Sequence, residues 1–374
     1  MAKTMKAITI SSPGAAPQVT NNLIIPEPGE GQILVRSIYT AINPGDSIMA
    51  ETGAMVKSWP FSPGCDAGGI VVSAGSNAVS PLGKPFAEGE RVFGCTRLGT
   101  PGHSPWGEYF LMDSRVTIPV PPKLTLAEAS ALGVGLLTAS EGVFSCLGVP
   151  LPTSTPTPTY TSTVSGANEP DRAWALVLGG ASSVGFAAVQ LLLASGLHVV
   201  TTCSERSAPL LQERGVSCIS YRLGQEDLIS RVMIITHGKV RYVFDAVGLN
   251  HDLVGLLVDV VERHAETDGG AEAKYAPQVA FTTTNAFAPL PIASNLTAKA
   301  IQLGPIGRPE PEAKTLNEAL AGYIPVLYRL LDSGKVVVGP YRLEEQGVEG
   351  ILGAWNVQKS GKVAGKIVVK VTEK

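Results

Sequence analysis

The sequence predicts an α/β protein of two domains, in which an α/β unit interrupts a β-rich domain assembled from both ends of the chain. Three observations carry that expectation. Residues 173–204 read as a buried strand, a glycine-rich turn, an apolar helix and a second strand. Residues 4–130 are short strands punctuated by Gly and Pro, without the helix–strand rhythm. After Gly304 a helix-and-strand tail resumes, which makes the β-rich domain discontinuous. The expected boundaries are 1–140 with 306–374 for that domain and 141–305 for the inserted one.

Taken in order, the N-terminal strands are expected at 33–39, 69–72, 91–94 and 108–112, between turns such as 26–31 and 80–89. Residues 126–147 have a helical pattern, with Thr125 as N-cap and Glu128 at capping-box spacing. Residues 151–170 are rich in Pro, Ser and Thr, have almost nothing to bury and read as an exposed loop. The run 174–178 is too short for a helix and has the composition of a parallel strand buried on both faces. A helix over 186–195, stopped by Gly196, and a strand over 198–202 follow. Further helices are expected at 209–214, 227–237 and 253–263, and strands at 218–221, 240–246 and 278–283. Residues 261–276 are polar and Gly-rich and read as an extended loop. A helix at 316–333 and strands at 341–343 and 367–371 close the chain.

The turn between the strand at 174–178 and its helix, Gly179-Gly180-Ala181-Ser182-Ser183-Val184-Gly185, is where chemistry enters. Glycine there permits a tight turn and close backbone approach, and a helix N-terminus offers unpaired N–H groups and a positive dipole end to a pyrophosphate. It reads as the opening unit of a Rossmann dinucleotide-binding domain, although the glycine spacing is not the common G-x-G-x-x-G and the other reading is a strand-to-helix turn that holds no cofactor. An NAD site places an acidic residue at the tip of the second strand to hold the ribose hydroxyls. Here the tip reads Thr201-Thr202-Cys203-Ser204-Glu205-Arg206, with hydroxyls and an arginine suited to a 2′-phosphate, so NADPH is the expected cofactor.

Composition bounds the alternatives. The 374 residues are 44% hydrophobic and 16% charged, as in a well-packed globular chain. A net charge of −3, with no basic run and no acidic tail, excludes a polyelectrolyte partner such as nucleic acid. Five cysteines, an odd number with no C-x-x-C, read as buried thiols of a reducing compartment. No stretch has signal-peptide or bilayer-spanning character, so a cytoplasmic protein without membrane contact is expected.

Several segments then line up, in order, with one family. They are Ala41-Ile42-Asn43-Pro44-Gly45-Asp46, Pro63-Gly64-Cys65-Asp66-Ala67-Gly68-Gly69, Gly89-Glu90-Arg91-Val92-Phe93-Gly94 and Trp106-Gly107-Glu108-Tyr109-Phe110. The glycine turn, Phe244-Asp245-Ala246-Val247-Gly248 and the closing GKVAGKIVV complete the set. The chain resembles the zinc-free branch of the medium-chain dehydrogenase/reductase superfamily. Within it, Cys146-Leu147-Gly148-Val149-Pro150, the Pro/Ser/Thr insertion, Thr202-Cys203-Ser204 and Leu303-Gly304-Pro305 resemble fungal trans-acting enoyl reductases of polyketide synthases. The resemblance implies a GroES-like catalytic domain around the Rossmann unit. It also implies reduction of an activated C=C bond by NADPH, on a small molecule or an acyl chain tethered to a carrier. Catalytic-zinc ligands of the metal-dependent relatives fall at Asn43, Cys65 and Val134, only one of which can bind metal, so no zinc is expected.

The same resemblance implies the site residues. Thr138 and Asn43 lie beside the nicotinamide, with Thr138 contacting its carboxamide or the substrate carbonyl; the other reading of Thr138 is a hydroxyl bonded back to its own helix. Ser182, Ser183 and Val184 line the pyrophosphate, and Val247 and Leu303 also face the cofactor. Ser204, Arg206 and Tyr221 hold the 2′-phosphate, Arg206 reading equally as a solvated surface side chain. Gln212 stands where a relative has a lysine behind that phosphate. A larger departure follows Asp46: enoyl reductases carry Asn-Pro-x-Asp-x-Lys, and here the lysine position is Ile48. Lys57, Ser47, Tyr109 or water is left to fill the role, Lys57 reading also as a solvated side chain. Asn285 and Phe287, in Phe281-Thr282-Thr283-Thr284-Asn285-Ala286-Phe287, are expected with Ile48 in the substrate pocket, Phe287 reading equally as core. Two alternatives stay open: a reductase of free quinones or enones, and a cofactor-binding homologue with a scaffolding role.

Overall fold

Residues 2–153, 173–267, 277–282, 298–344, 346–361 and 363–372 are described by the computed structural model. They fall into two units, Met1–Leu137 with Leu303–Lys374 and Thr138–Gln302.

In the first unit, Thr4–Thr9 (β1) and Gln18–Ile24 (β2) form an antiparallel pair. Gln32–Ala41 (β3) is the spine of a second sheet, and the helix Pro44–Thr52 (α1) leaves from its end. Asp66–Ala74 (β4) returns antiparallel to β3, with Asp66 opposite Ala41. Arg91–Cys95 (β5) pairs with β4, Tyr109–Asp113 (β6) with β3, and Ile118–Pro119 (β7) with β5. Inward-facing Ile33, Val35, Val71, Val92, Phe110 and Met112 form one apolar core. Ile33 and Val35, and Phe110 and Met112, reach that core at every second residue, but β3 and β5 are buried along most of their length, not on one face only.

The expected single helix over 126–147 is three pieces. Leu126–Ser130 (α2) begins as foreseen: Glu128 N–H donates to Thr125 Oγ1 at 3.2 Å, and Thr125 N–H donates to the Glu128 carboxylate at 2.9 Å. A tight turn follows, in which Leu132 N–H reaches Ala129 O. Gly133–Ser140 (α3) then runs into a π-helical turn, Glu141–Cys146, closed by Leu147 N–H on Gly142 O. The break has a steric cause. A Cβ on Gly133 would lie 2.4 Å from Gly94 O and 2.6 Å from Asp66 Oδ1, so the chain passes too close to the sheet for a regular helix packed over it.

The second unit alternates strand and helix. Trp174–Leu178 (β8), Ser183–Ala194 (α4), His198–Cys203 (β9), Ala208–Gln212 (α5), Ser217–Ser220 (β10) and Gln225–Thr236 (α6) form its first half. Val240–Asp245 (β11), His251–Thr267 (α7), Gln278–Thr282 (β12) and Ala298–Ile301 (β13) form the second. All strands are parallel, in the order β10-β9-β8-β11-β12-β13. The order reverses between β8 and β11, the switch point of a doubly wound sheet. Leu176, Val200, Val243, Leu257 and Phe281 belong to its core. The loop expected from residue 261 is corrected over its first part. Leu253, Val254, Leu257, Val258 and Val261 are buried at helical spacing and carry the helix past residue 261, with Asp252, Asp259 and Arg263 exposed, and α7 runs on to Thr267. The rest of that loop and the expected loop over 154–170 lie outside the described residues.

The chain re-enters the first unit with Lys314–Asp332 (α8), Tyr341–Glu344 (β14), Gly347–Lys359 (α9) and Lys366–Lys370 (β15). Strand β15 pairs antiparallel with β3, which puts the end of the chain beside its 39–41 segment. Helices α1 and α9 are not among the elements expected from periodicity. The α/β class and the discontinuous β-rich unit are as expected. Among the described residues no helix is long and apolar enough to cross a membrane.

Candidate functional site

The second unit ends its strands in a dinucleotide-shaped edge. Gly179 leaves β8 at φ +80°, in the left-handed region, and its N–H donates to Thr202 Oγ1 at 2.9 Å. Gly180 N–H donates to Thr202 O at 3.1 Å, which fastens the turn to the tip of β9. Ser182 Oγ accepts from Gly185 N–H at 3.0 Å and caps α4. The next amides, of Ser183 and Val184, are those a helix cannot satisfy internally. A Cβ on Gly180 would fall 2.1 Å from Thr201 Oγ1, and one on Gly185 2.2 Å from Gly179 O, so only glycine permits this packing. Val247 crosses the turn, its Cγ2 being 2.6 Å from where a Gly179 Cβ would sit, and its N–H donates to Asp245 Oδ1 at 2.9 Å. Asp245 also accepts from Asn250 N and Nδ2, at 3.1 and 2.9 Å.

Beside the turn is a cavity of about 180 Å³ bounded by Leu178, Thr202, Tyr221, Leu249, Asn250 and Leu253. Ser204 Oγ lies 3.0 Å from Ser207 Oγ, and Arg206 and Tyr221 are exposed next to it. An anion cradle at a helix N-terminus, a base-sized cavity and a hydroxyl-lined strand tip fit a dinucleotide.

The first unit holds a buried polar cluster. Lys366, at the head of β15, places its Nζ 2.6 Å from Asn43 Oδ1 and 2.5 Å from Asp66 Oδ2. Asn43 Nδ2 donates to the same Asp66 oxygen at 3.0 Å, and Asp66 Oδ1 accepts Val134 N–H, at the start of α3, at 2.5 Å. Asn43 N–H donates to Asp46 Oδ2 at 2.7 Å, and the Cys65 thiol points at Asp46 Oδ1 from 3.5 Å. Asp46 and Asp66 are fully buried, and Asn43 and Lys366 nearly so. Among the described residues, no three His, Cys, Asp or Glu side chains are grouped to hold a metal ion. The cation of this cluster is the lysine. Hydrogen bonding with Cys95 and burial hold the Cys65 thiol well above its usual range, so it stays protonated.

With Lys366 and Asp66 paired, Asp46 is the surplus carboxyl, and burial pushes it up to about 7. The native state therefore keeps a proton on Asp46 between about pH 4 and 7 that the unfolded chain has released, and stability falls as pH rises through that window. Above pH 7 both states are ionised and this contribution is flat. Asp46→Asn is expected to remove a pH dependence of roughly a few kcal/mol, read as the difference between denaturant midpoints at pH 5 and 8. An unchanged difference would mean that Asp46 does not carry that proton.

The expected site residues fall in different places. Ser182, Ser183, Val184, Ser204, Arg206, Tyr221 and Val247 gather at one edge of the second unit. Thr138 is half-buried on α3, and its hydroxyl makes no hydrogen bond among the described residues, not even back to its helix. Asn43 is 6% exposed, with its carboxamide engaged by Lys366 and Asp66. Lys57 is about half exposed and pairs with Glu310 at 3.2 Å, a solvated ion pair apart from the Asn43 cluster. Ser47 is engaged by the Trp355 indole N–H at 2.8 Å, and Ile48 and Tyr109 are half-buried. Leu303 is buried at the point where the chain re-enters the first unit. Asn285 and Phe287 lie outside the described residues. Asp66 and Lys366, which the structure brings onto Asn43, are not among the expected site residues. The available signal was an ionisable side chain at the edge of an otherwise apolar or glycine-rich strand.

A doubly wound parallel sheet with a glycine turn at its switch point has the architecture of a dinucleotide-binding unit. Residues 29–122 match the alcohol dehydrogenase GroES-like domain. The trans-enoyl reductase FSL5 of Gibberella zeae is 27% identical, covering 96% of this chain and 95% of its own. The trans-enoyl reductase ccsC of Aspergillus clavatus is 32% identical over 61% of this chain and 59% of its own. An alcohol dehydrogenase superfamily protein from Novosphingobium aromaticivorans has the same fold, with a TM-score of 0.72 at 22% identity over 98% of this chain and all of that one. The chain is thus similar to fungal trans-enoyl reductases, to one of them along nearly the full length of both chains, and shares the fold of an alcohol dehydrogenase superfamily protein, the likeness its motifs led one to expect.

Proposed function

We propose that the protein reduces an activated carbon–carbon double bond with NADPH, acting in trans on an acyl chain tethered to the carrier of a polyketide synthase. The observation that carries this reading is the similarity to a trans-enoyl reductase along nearly the full length of both chains. The strand tip supports the cofactor choice, since Ser204 and Arg206 stand where an NAD site would have a carboxylate. NADPH, when bound, would supply the hydride that adds to the alkene carbon β to the carbonyl, and a proton from water would complete the reduction at the α-carbon. The Ser183 and Val184 amides hold the pyrophosphate, and Ser204, Arg206 and Tyr221 the 2′-phosphate. Negative charge develops on the substrate carbonyl oxygen as the bond is reduced, and a fixed hydroxyl donor is the group such a reaction needs. Thr138 supplies it, there or at the nicotinamide carboxamide.

One observation favours a second reading. Ile48, half-buried and apolar, stands at the position where enoyl reductases have a lysine, and an apolar wall suits a free quinone or enone. NADPH consumption is the test, with crotonyl and longer α,β-unsaturated thioesters offered free and carrier-bound, and with quinones alongside. Turnover fastest on carrier-bound enoyl chains is expected, and Arg206→Ala should weaken NADPH about tenfold while leaving NADH unchanged. Fast turnover of quinones alone would replace the reading with the second one. NADPH binding without turnover of either would point to a scaffolding homologue.

A further inference from the structure

Burying an ammonium and a carboxylate together rarely stabilises a fold over an apolar pair of similar volume. The Lys366–Asp66 pair is therefore better explained by what it orients than by what it stabilises. The ammonium grips the oxygen of the Asn43 carboxamide, and the nitrogen of that carboxamide donates to Asp66. The two Asp66 oxygens divide the donors between them, Oδ2 accepting from Lys366 and Asn43 and Oδ1 from the Val134 N–H. Val134 lies in the first turn of α3, and Thr138 is one helical turn further along. At the other end of the network, the Asn43 N–H meets Asp46 and opens α1, the helix that carries Ile48. One amine on β15 is thus bonded to the two side chains, Asn43 and Asp66, that adjoin the starts of α1 and α3.

We propose that Lys366 is a positioning residue for the reaction, which through Asp66 and Asn43 fixes the start of α3, and with it the Thr138 hydroxyl, and the start of α1. The proposal rests on the reading of Thr138 given above. Lys366 touches neither cofactor nor substrate in this scheme. Its effect is on geometry, so it should appear in turnover more than in cofactor affinity.

The test compares Lys366→Met with Lys366→Arg in the full chain. In Lys366→Met, kcat is expected to fall about tenfold or more with the NADPH Kd within about threefold, and Lys366→Arg to recover most of it. The second readout needs no activity. In the cofactor-free protein, the Val134 amide proton, followed by valine-selective ¹⁵N labelling, should shift strongly downfield from its bond to Asp66. Lys366→Met should move it, and Lys366→Arg should restore it. If Lys366→Met does not fold, the double variant Lys366→Met/Asp66→Asn removes the unpaired buried carboxylate, and the same two readouts apply. An unmoved Val134 amide, or wild-type kcat without the lysine, overturns the proposal. Inactivity of the wild-type enzyme on every acceptor would defeat the functional reading instead, and the Val134 amide would still decide whether Lys366 sets the helix.

Discussion

Gly185→Ala is expected to raise the dinucleotide Kd about 100-fold while the second unit keeps its secondary structure. The added Cβ would meet Gly179 O at 2.2 Å, and the Gly179 carbonyl carbon and Gly180 Cα at 2.9 Å each. These are backbone atoms of a turn tied to Thr202 by two hydrogen bonds, so no side chain can swing aside. Helix α4 must back away from β8, taking the Ser183 and Val184 amides with it. Gly255→Ala supplies the control, because a Cβ there meets nothing within 4 Å and α7 gains a better helix former. Fluorescence titration with NADPH, beside circular dichroism, reads both variants. Binding by Gly185→Ala within about threefold of wild type would show that the turn is not the pyrophosphate cradle.

The second large effect lies in the first unit. Asp66→Ala leaves the Lys366 ammonium buried with only the Asn43 oxygen, and leaves Val134 N–H without its acceptor. Breaking a buried pair from one side costs about 3–5 kcal/mol, because an uncompensated charge stays behind. Trp106 and Trp355, whose rings meet edge-on at 5.2 Å within that unit, report its unfolding in denaturant. Removing both charges, in Asp66→Ala/Lys366→Met, should return at least half of the loss. A single-variant loss below about 1 kcal/mol would mean that the pair is not charged as its geometry implies.

What was legible in the sequence was what local chemistry decides. The strand–turn–helix–strand from Trp174 to Cys203 was readable because an apolar run, two glycines and an N-capping serine act within a few residues of one another. The capping box at Thr125 and Glu128 was readable for the same reason. The break after α2 was hidden, since the need for glycine at 133 comes from Gly94 and Asp66, distant in sequence. Helix α9 was masked by Gly347, Gly350 and Gly353, although Val348, Ile351 and Trp355 hold the buried spacing of a helix. The two lysines make the sharpest contrast. Lys57 and Lys366 are one residue type, yet one is a solvated partner of Glu310 and the other is buried on Asp66. The apolar run that follows Lys366 is the one local sign that separates them, and it does not name the partner. The difference is created by β15 pairing with β3.

That pairing also fixes an order of assembly. The second unit is contiguous in sequence and has every strand it needs once residue 302 has been made, whereas Asn43 waits for a lysine 323 residues later. At about 5–20 residues per second of synthesis, the wait is on the order of tens of seconds. For that interval Asp66 lacks the ammonium that shares its burial in the finished unit. Strand β15 is therefore a latch: the second unit can be finished on the ribosome, while the first can close only after Lys366 has been made.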